Sequence, residues 1–201
     1  MKGRKYVSQN IEIEFKNMLT QEEFQLLTIH FKIEPKQFKK QINHYFDTNS
    51  FTLKEKGSAL RIREKESWFE MTLKQPAQQG LLETNQMLTP SQAEEALSTG
   101  KLPDGVVKDT VSELIKDTES LLYFGSLTTV RAEIEYKEGL LVLDHSYYLN
   151  TEDYELEYEV TNESAGYEIF SRLLEDLKIP IRPTDNKIKR FYLKKYNLLQ
   201  E

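Results

Sequence analysis

The sequence predicts an α+β fold in which an antiparallel sheet carries most of the chain. Three observations predict it. Short segments of alternating apolar and charged residues recur from the N-terminus to residue 160, the period of 2 expected of strands with two unlike faces. Between and after them lie stretches with apolar residues at helical spacing. The order is strands, helices, more strands and then helices, with turn signals close enough for neighbouring strands to pair as hairpins.

Each element follows from local sequence. The first strand contains Ile11-Glu12-Ile13-Glu14-Phe15-Lys16, with Glu12, Glu14 and Lys16 on one face and Ile11, Ile13 and Phe15 on the other. Thr20 and Glu23 have capping-box spacing, and Phe24, Leu27 and Phe31 form the apolar stripe of a helix ending before Pro35. Residues 41–48 read as a strand running into a turn, and 53–57 as a further turn. In 58–64, Leu60 and Ile62 alternate with Arg61 and Arg63. Strands 68–74 and 81–88 follow, the second with Glu83 and Asn85 on one side. Thr89-Pro90-Ser91 starts a helix, with proline in the first turn and Glu94 at capping-box spacing, and Gly100 ends it. Another helix covers about 106–114.

Strands resume at 121–124 and 130–136, where Arg131, Glu133 and Glu135 oppose Val130, Ala132 and Ile134. Segment 140–146 carries Asp144 on the side of Leu140 and Val142. Segment 154–160 sets Glu155, Glu157 and Glu159 against Tyr154, Leu156, Tyr158 and Val160. A helix from Asn162, with Ile169, Phe170, Leu173, Leu174 and Leu177 on one side, runs to Pro180. A terminal helix rich in Lys187, Lys189, Arg190, Lys194 and Lys195 follows Asp185.

The chain has 201 residues and no linker-like stretch, so a single domain spanning 1–201 is expected. A net charge of −6 argues against a general nucleic-acid or anionic-membrane binder. There is no cysteine, hence no disulfide, thiolate metal site or cysteine nucleophile, and no signal peptide or long apolar run; a cytoplasmic protein is expected. Oligomeric state is not legible.

The charged strand faces point either to water or to a shared interior. If the sheet closes with its apolar face outside, under the helices, the charged face lines the inside. Bare carboxylates are too costly there, so Glu12, Glu14, Glu83, Glu133, Glu135, Asp144, Glu155, Glu157 and Glu159 must be paired or bound to metal. Lys16, Arg61, Arg63, Lys74, Arg131 and Lys187 offer pairing, and an all-oxygen acid set suits hard cations such as Mg²⁺ or Mn²⁺. Acids together with arginines and lysines fit a polyphosphate chain complexed to divalent metal. No Walker A or Gly-rich dinucleotide loop is present, so side chains would hold the phosphates.

The combination resembles the CYTH superfamily, also called triphosphate tunnel metalloenzymes, which includes thiamine triphosphatases, inorganic triphosphatases, class IV adenylyl cyclases and fungal RNA triphosphatases. Glu12-Ile13-Glu14-Phe15-Lys16 matches its ExExK signature. Tyr45-Phe46-Asp47-Thr48, Leu60-Arg61-Ile62-Arg63, Leu73-Lys74-Gln75-Pro76, Glu83, Arg131, Asp144, Glu157-Tyr158-Glu159 and the Lys187 region follow in the family's order. The match covers nearly the whole chain. It implies a closed antiparallel eight-stranded β-barrel, a triphosphate tunnel with helices packed on the outside.

The resemblance also implies roles. Glu12, Glu14, Asp144, Glu157 and Glu159 would be metal ligands; Lys16, Arg61, Arg63, Lys74, Arg131 and Lys187 would grip the triphosphate; Lys74, Tyr45 and Glu83 would act at the reacting centre, Tyr45 near Lys74. Either Glu155 or Glu157, and either Lys187 or Lys189, takes the respective place. The implied reaction is metal-dependent hydrolysis of an inorganic or organic triphosphate, one Mg²⁺ or Mn²⁺ orienting it and a second activating water. A class IV-type adenylyl cyclase and a non-catalytic polyphosphate or nucleotide-binding protein are the alternatives. The partner is in each case a triphosphate-containing small molecule. Glu133 and Glu135 read as tunnel or rim residues, His30, His44 and His145 as structural or surface residues, and Trp68 as a core or helix-packing residue.

Overall fold

The computed structural model describes residues 7–66, 68–116 and 119–198. Among them eight strands form a closed antiparallel barrel in the order β1-β5-β4-β3-β2-β6-β7-β8. The strands are β1 (Val7–Leu19), β2 (Lys39–Thr48), β3 (Ala59–Lys65), β4 (Trp68–Pro76), β5 (Leu81–Leu88), β6 (Leu121–Tyr136), β7 (Gly139–Tyr148) and β8 (Thr151–Val160). Six helices lie outside: α1 (Gln21–His30), α2 (Thr52–Glu55), α3 (Pro90–Thr99), α4 (Val106–Leu114), α5 (Glu163–Asp176) and α6 (Lys187–Leu198). No helix among the described residues is long and apolar enough to cross a membrane.

The chain divides into two compact units, Met1–Ile11 with Gln41–Ser126 and Glu12–Lys40 with Leu127–Glu201. In the first, Leu60, Ile62, Met71 and Leu73 are fully buried in one cluster with Ala93 and Ala96 of α3 and Val107 and Val111 of α4. Each such side chain contributes roughly 1.5–3 kcal/mol by leaving water. The alternate residues of β3 and β4, including Arg61, Arg63, Thr72 and Lys74, therefore take the other face. In the second unit Leu141, Leu143, Leu156 and Tyr158 pack with Leu27 of α1 and Phe170, Leu173 and Leu174 of α5. Arg131, Asp144, Glu155 and Glu157 take the face opposite. In both units the apolar side lies under helices, the direction expected of charged faces turned inward.

Several local expectations change. Segment 53–57 is not merely a turn: Asp47 is 1% exposed and its carboxylate accepts from the backbone N–H groups of Thr48, Leu53 and Lys54, which closes the single turn of α2. The strands expected at 121–124 and 130–136 are one strand, β6, which passes through Gly125 at φ 136°. Thr89 caps α3, but its box partner is Gln92 and not Glu94, because the third helical residue after that cap is Gln92. Helix α5 stops at Asp176 rather than continuing to Pro180, with Lys178 in the left-handed region at φ 56°.

Two side chains expected under helices are elsewhere. Ile11 is 51% exposed, and of the three apolar residues in the opening motif Phe15 packs beneath α5, stacked on Phe170 and edge-on to Tyr167. Trp68 falls on the polar face of β4, since Phe69, Met71 and Leu73 occupy the apolar one. Asn17, not singled out by sequence, is fully buried on the apolar face of β1. Its side chain donates to the Pro180 carbonyl and accepts from the Arg182 N–H, tying the segment after α5 to the sheet.

Candidate active site

In the second unit, register places Lys16 opposite Glu157 and Glu14 opposite Glu159, while Arg131 pairs with Asp144 and Asp144 with Glu155. Residues directly opposite point to the same side, so seven ionisable groups share one face. Arg131 forks onto Asp144 through Nε at 2.7 Å and Nη2 at 2.6 Å, and Nη2 also reaches Glu157 at 2.7 Å. Lys187, at the start of α6, lies 2.9 Å from Asp144, 2.5 Å from Glu155 and 2.6 Å from Glu157. Asp144 and Glu155 are fully buried, and such charges are tolerated only because cations meet them at hydrogen-bond distance.

The electrostatics follow from this packing. Burial alone would push the Asp144 and Glu157 carboxyls up, but Arg131 and Lys187, with Lys16 also acting on Glu157, hold both below the usual carboxylate range. Burial would strip the proton from Lys16; Glu157 and Glu14, the latter 2.7 Å away, outweigh it and raise its pKa. Glu159 behaves oppositely. Burial raises it, Arg131 opposes, and the neighbouring carboxylates Glu157, Glu12 and Glu14 add to the rise, so its pKa reaches about 7.

That contrast bears on metal binding. Asp144 and Glu157 are met by the protein's own cations, and Lys16 meets Glu14, whereas burial first and then the neighbouring Glu157, Glu12 and Glu14 raise the pKa of Glu159. Among the described residues no three His, Asp or Glu side chains are already converged on a common coordination point. The donor set is all oxygen and its repulsion is relieved by a cation, which fits a hard divalent ion at Glu12, Glu14 and Glu159.

The two alternative pairs differ in their surroundings. Glu155 lies with Lys187 and Arg190 and is part of the buried ion-pair cluster. Lys187 enters that cluster, while Lys189 pairs at the surface with Asp185, one helical turn away, at 2.7 Å. Lys187→Ala is expected to lower the melting temperature and Lys189→Ala to shift stability by less than about 0.5 kcal/mol, measured by thermal melts of both variants. Sequence reasoning overlooked Arg190, which holds Glu155 at 2.8 Å and Asp153 at 3.0 Å. Its signal was the three-residue spacing from Lys187, which places both on one face of α6.

In the first unit Lys74 lies 2.7 Å from Glu83 and Arg61 4.0 Å from the same carboxylate. Burial opposes ionisation of Glu83, yet Lys74 and Arg61 hold its pKa down at about 2. Arg63 donates through Nε to Asn43 at 3.0 Å, a contact the sequence did not suggest. Arg61 Nε is buried with no hydrogen-bond partner among the described residues. Tyr45 is buried opposite Arg61, in the row of Thr72 and Asn85, while Lys74 belongs to the next row with Ala59 and Glu83. Glu133 and Glu135 are exposed, as rim residues are.

Comparison with known proteins bears on the same residues. Residues 10–192 match the family model described as the CYTH domain. The chain is 51% identical over 189 residues to "Putative triphosphatase YjbK" of Bacillus subtilis (strain 168), a match covering 94% of this chain and 98% of that one. A solved structure described as a "putative adenylate cyclase" from Bacillus halodurans superposes with a TM-score of 0.88 at 47% identity, covering 92% and 98% of the two chains. The Hippeastrum protein HpAC1, a "putative adenylyl cyclase" with "a dominant" triphosphatase activity, shares the fold with a TM-score of 0.75 at 24% identity, covering 90% and 95%.

Proposed function

The chain belongs to the CYTH domain family, and we propose that it is, as a single domain, a divalent-metal-dependent hydrolase of a triphosphate-containing substrate. The observation that carries this reading is the division of labour among its charges. Asp144, Glu155 and Glu157 are met by built-in cations, Glu159 is crowded by the carboxylates of Glu157, Glu12 and Glu14, and Arg61 Nε finds no acceptor among the described residues. Crowded carboxylates and a buried guanidinium N–H without an acceptor suit a ligand that is itself a metal–polyanion complex. The name borne by the Bacillus subtilis relative agrees.

Glu12, Glu14 and Glu159 would hold Mg²⁺ or Mn²⁺, with Asp144 and Glu157 acting as ligands through displacement of, or water beside, Arg131 and Lys187. When bound, the metal neutralises phosphate charge and supplies an activated water. The remaining work falls to side chains. Arg61, Arg63 and Lys74 in one unit, and Lys16, Arg131 and Lys187 in the other, bind phosphate oxygens. Arg61 Nε supplies a donor with no acceptor among the described residues. Glu83 aims Lys74, so that the ammonium meets negative charge building on the departing oxygen as the anhydride bond breaks. Tyr45, opposite Arg61 on β2, would pass a proton.

The name of the Bacillus halodurans relative favours a second reading, an adenylyl cyclase in which the same grip presents ATP to its own ribose 3′ oxygen. One assay separates the readings. Purified protein with Mg²⁺ or Mn²⁺ is expected to release phosphate from inorganic or organic triphosphate; cyclic AMP and pyrophosphate from ATP would replace hydrolase by cyclase, and tight binding of both without product would leave a polyphosphate-binding protein.

A further inference from the structure

Lys187 is a shared cation. Its ammonium lies 2.9 Å from Asp144, 2.5 Å from Glu155 and 2.6 Å from Glu157, so its three N–H bonds face three buried carboxylates. Each of these acids also meets a second cation. Arg131 forks onto both oxygens of Asp144 and reaches Glu157, and Lys16 stands 3.5 Å from Glu157. Glu155 has Arg190, whose Nη2 donates at 2.8 Å to Oε2, the same oxygen that Lys187 contacts. Its other oxygen, Oε1, is buried with no hydrogen-bond partner among the described residues. Compensation of this fully buried carboxylate therefore rests on Lys187 and Arg190, which stand three positions apart on one face of α6.

The two cations are held differently. Arg190 grips Asp153 through Nε at 3.0 Å and Nη2 at 3.3 Å, its Nη1 donates to the Asp185 carbonyl just before α6, and Asp153 in turn accepts from the Tyr148 hydroxyl at 2.7 Å. Lys187 meets its partners through one ammonium at the end of a flexible four-carbon stem. Of the two, Lys187 is the one able to leave Glu155 while the other stays. We propose that Arg190 is a positioning residue for phosphate binding: as the resident counterion of Glu155 it frees Lys187 to turn from that carboxylate to a phosphate oxygen. This rests on the reading of Lys187 as a phosphate ligand. Without Arg190, a phosphate that draws Lys187 away leaves Glu155 desolvated and unpaired, so binding weakens although no group touching phosphate has been removed.

Diimidotriphosphate, the analogue of inorganic triphosphate with N–H in place of both bridging oxygens, reads binding apart from turnover. In Mg²⁺, calorimetry on the full chain is expected to show Arg190→Met raising its Kd by about tenfold or more, the scale of one charge-assisted contact opposed. Arg190→Lys, which keeps a cation at Glu155, should restore most of the affinity. Glu155→Gln removes the charge that needs a counterion, so adding Arg190→Met to Glu155→Gln should change Kd by less than about twofold, a non-additivity that a helix merely loosened by the loss of Arg190 would not show. Should Arg190→Met melt below the assay temperature, Arg190→Gln, which retains an N–H for Asp153 without the charge, takes its place in the same cycle. Wild-type affinity in the folded Arg190 variant, or an equal loss with and without Glu155→Gln, overturns the counterion role, and so does a wild type that fails to bind the analogue. A wild type that binds the analogue yet releases no phosphate from inorganic triphosphate with Mg²⁺ or Mn²⁺ removes the hydrolase reading alone, because the cycle is read from Kd.

Discussion

Glu14→Gln combined with Glu159→Gln is expected to reduce metal-dependent triphosphate turnover by about a thousandfold or more, since several kcal/mol of charge stabilisation leave with the metal and each ~1.4 kcal/mol is tenfold in rate. The fold should survive. The two residues sit opposite each other on β1 and β8, and Glu159 is pushed up to about 7 by burial with Glu157, Glu12 and Glu14 adding to it, so Glu159→Gln relieves repulsion while Glu14→Gln weakens the contact with Lys16. The amide keeps the shape of the carboxylate. A melting temperature close to that of the wild type, together with lost turnover, is the expected pair of results. Near-normal rates at saturating Mg²⁺ and Mn²⁺ would refute the metal assignment.

Arg131→Met should have the opposite profile, with stability failing first. Arg131 is the fork that satisfies both Asp144 oxygens and one oxygen of Glu157, on a face where Asp144 is fully buried. Deleting one partner of a buried pair costs about 3–5 kcal/mol, because the remaining charge stays desolvated. The effect has a sign in pH. Arg131 lowers the folded-state pKa of Asp144 and Glu157, so its contribution is complete above their ordinary values of 3.8 and 4.5 and is lost as pH falls through the depressed folded values. The gap in melting temperature between wild type and variant should be widest near neutrality and narrow below about pH 4. Asp144→Asn added to Arg131→Met should recover part of the loss by removing the stranded charge. A constant gap from pH 3 to pH 7 would contradict the ion-pair account.

The sequence by itself determined most of the strands and helices and which way the alternating strands face, though not the continuity of β6, the turn of α2 or the end of α5. Period-2 alternation in β1, β3, β6 and β8 left no other way to bury Leu60, Ile62, Leu156 and Tyr158, and the capping residues Thr20, Thr89 and Asn162 marked helix starts directly. Resemblance along nearly the whole chain supplied barrel closure. Periodicity cannot say which charges on one face meet, and there the tertiary structure decided. It joined Lys187 rather than Lys189 to Asp144, placed Glu155 among the buried ion pairs, added Arg190 and Asn43, and moved Trp68 from core to polar face. Ile11 follows the strand pattern yet remains half in water, because alternation assigns a side and only packing supplies a neighbour to cover it. Facing is a local property of two bonds per residue, legible along the chain. Pairing among buried charges depends on distances of a few ångströms between residues up to 141 positions apart, such as Lys16 and Glu157, and only the closed sheet and the helix α6 laid against it set those distances.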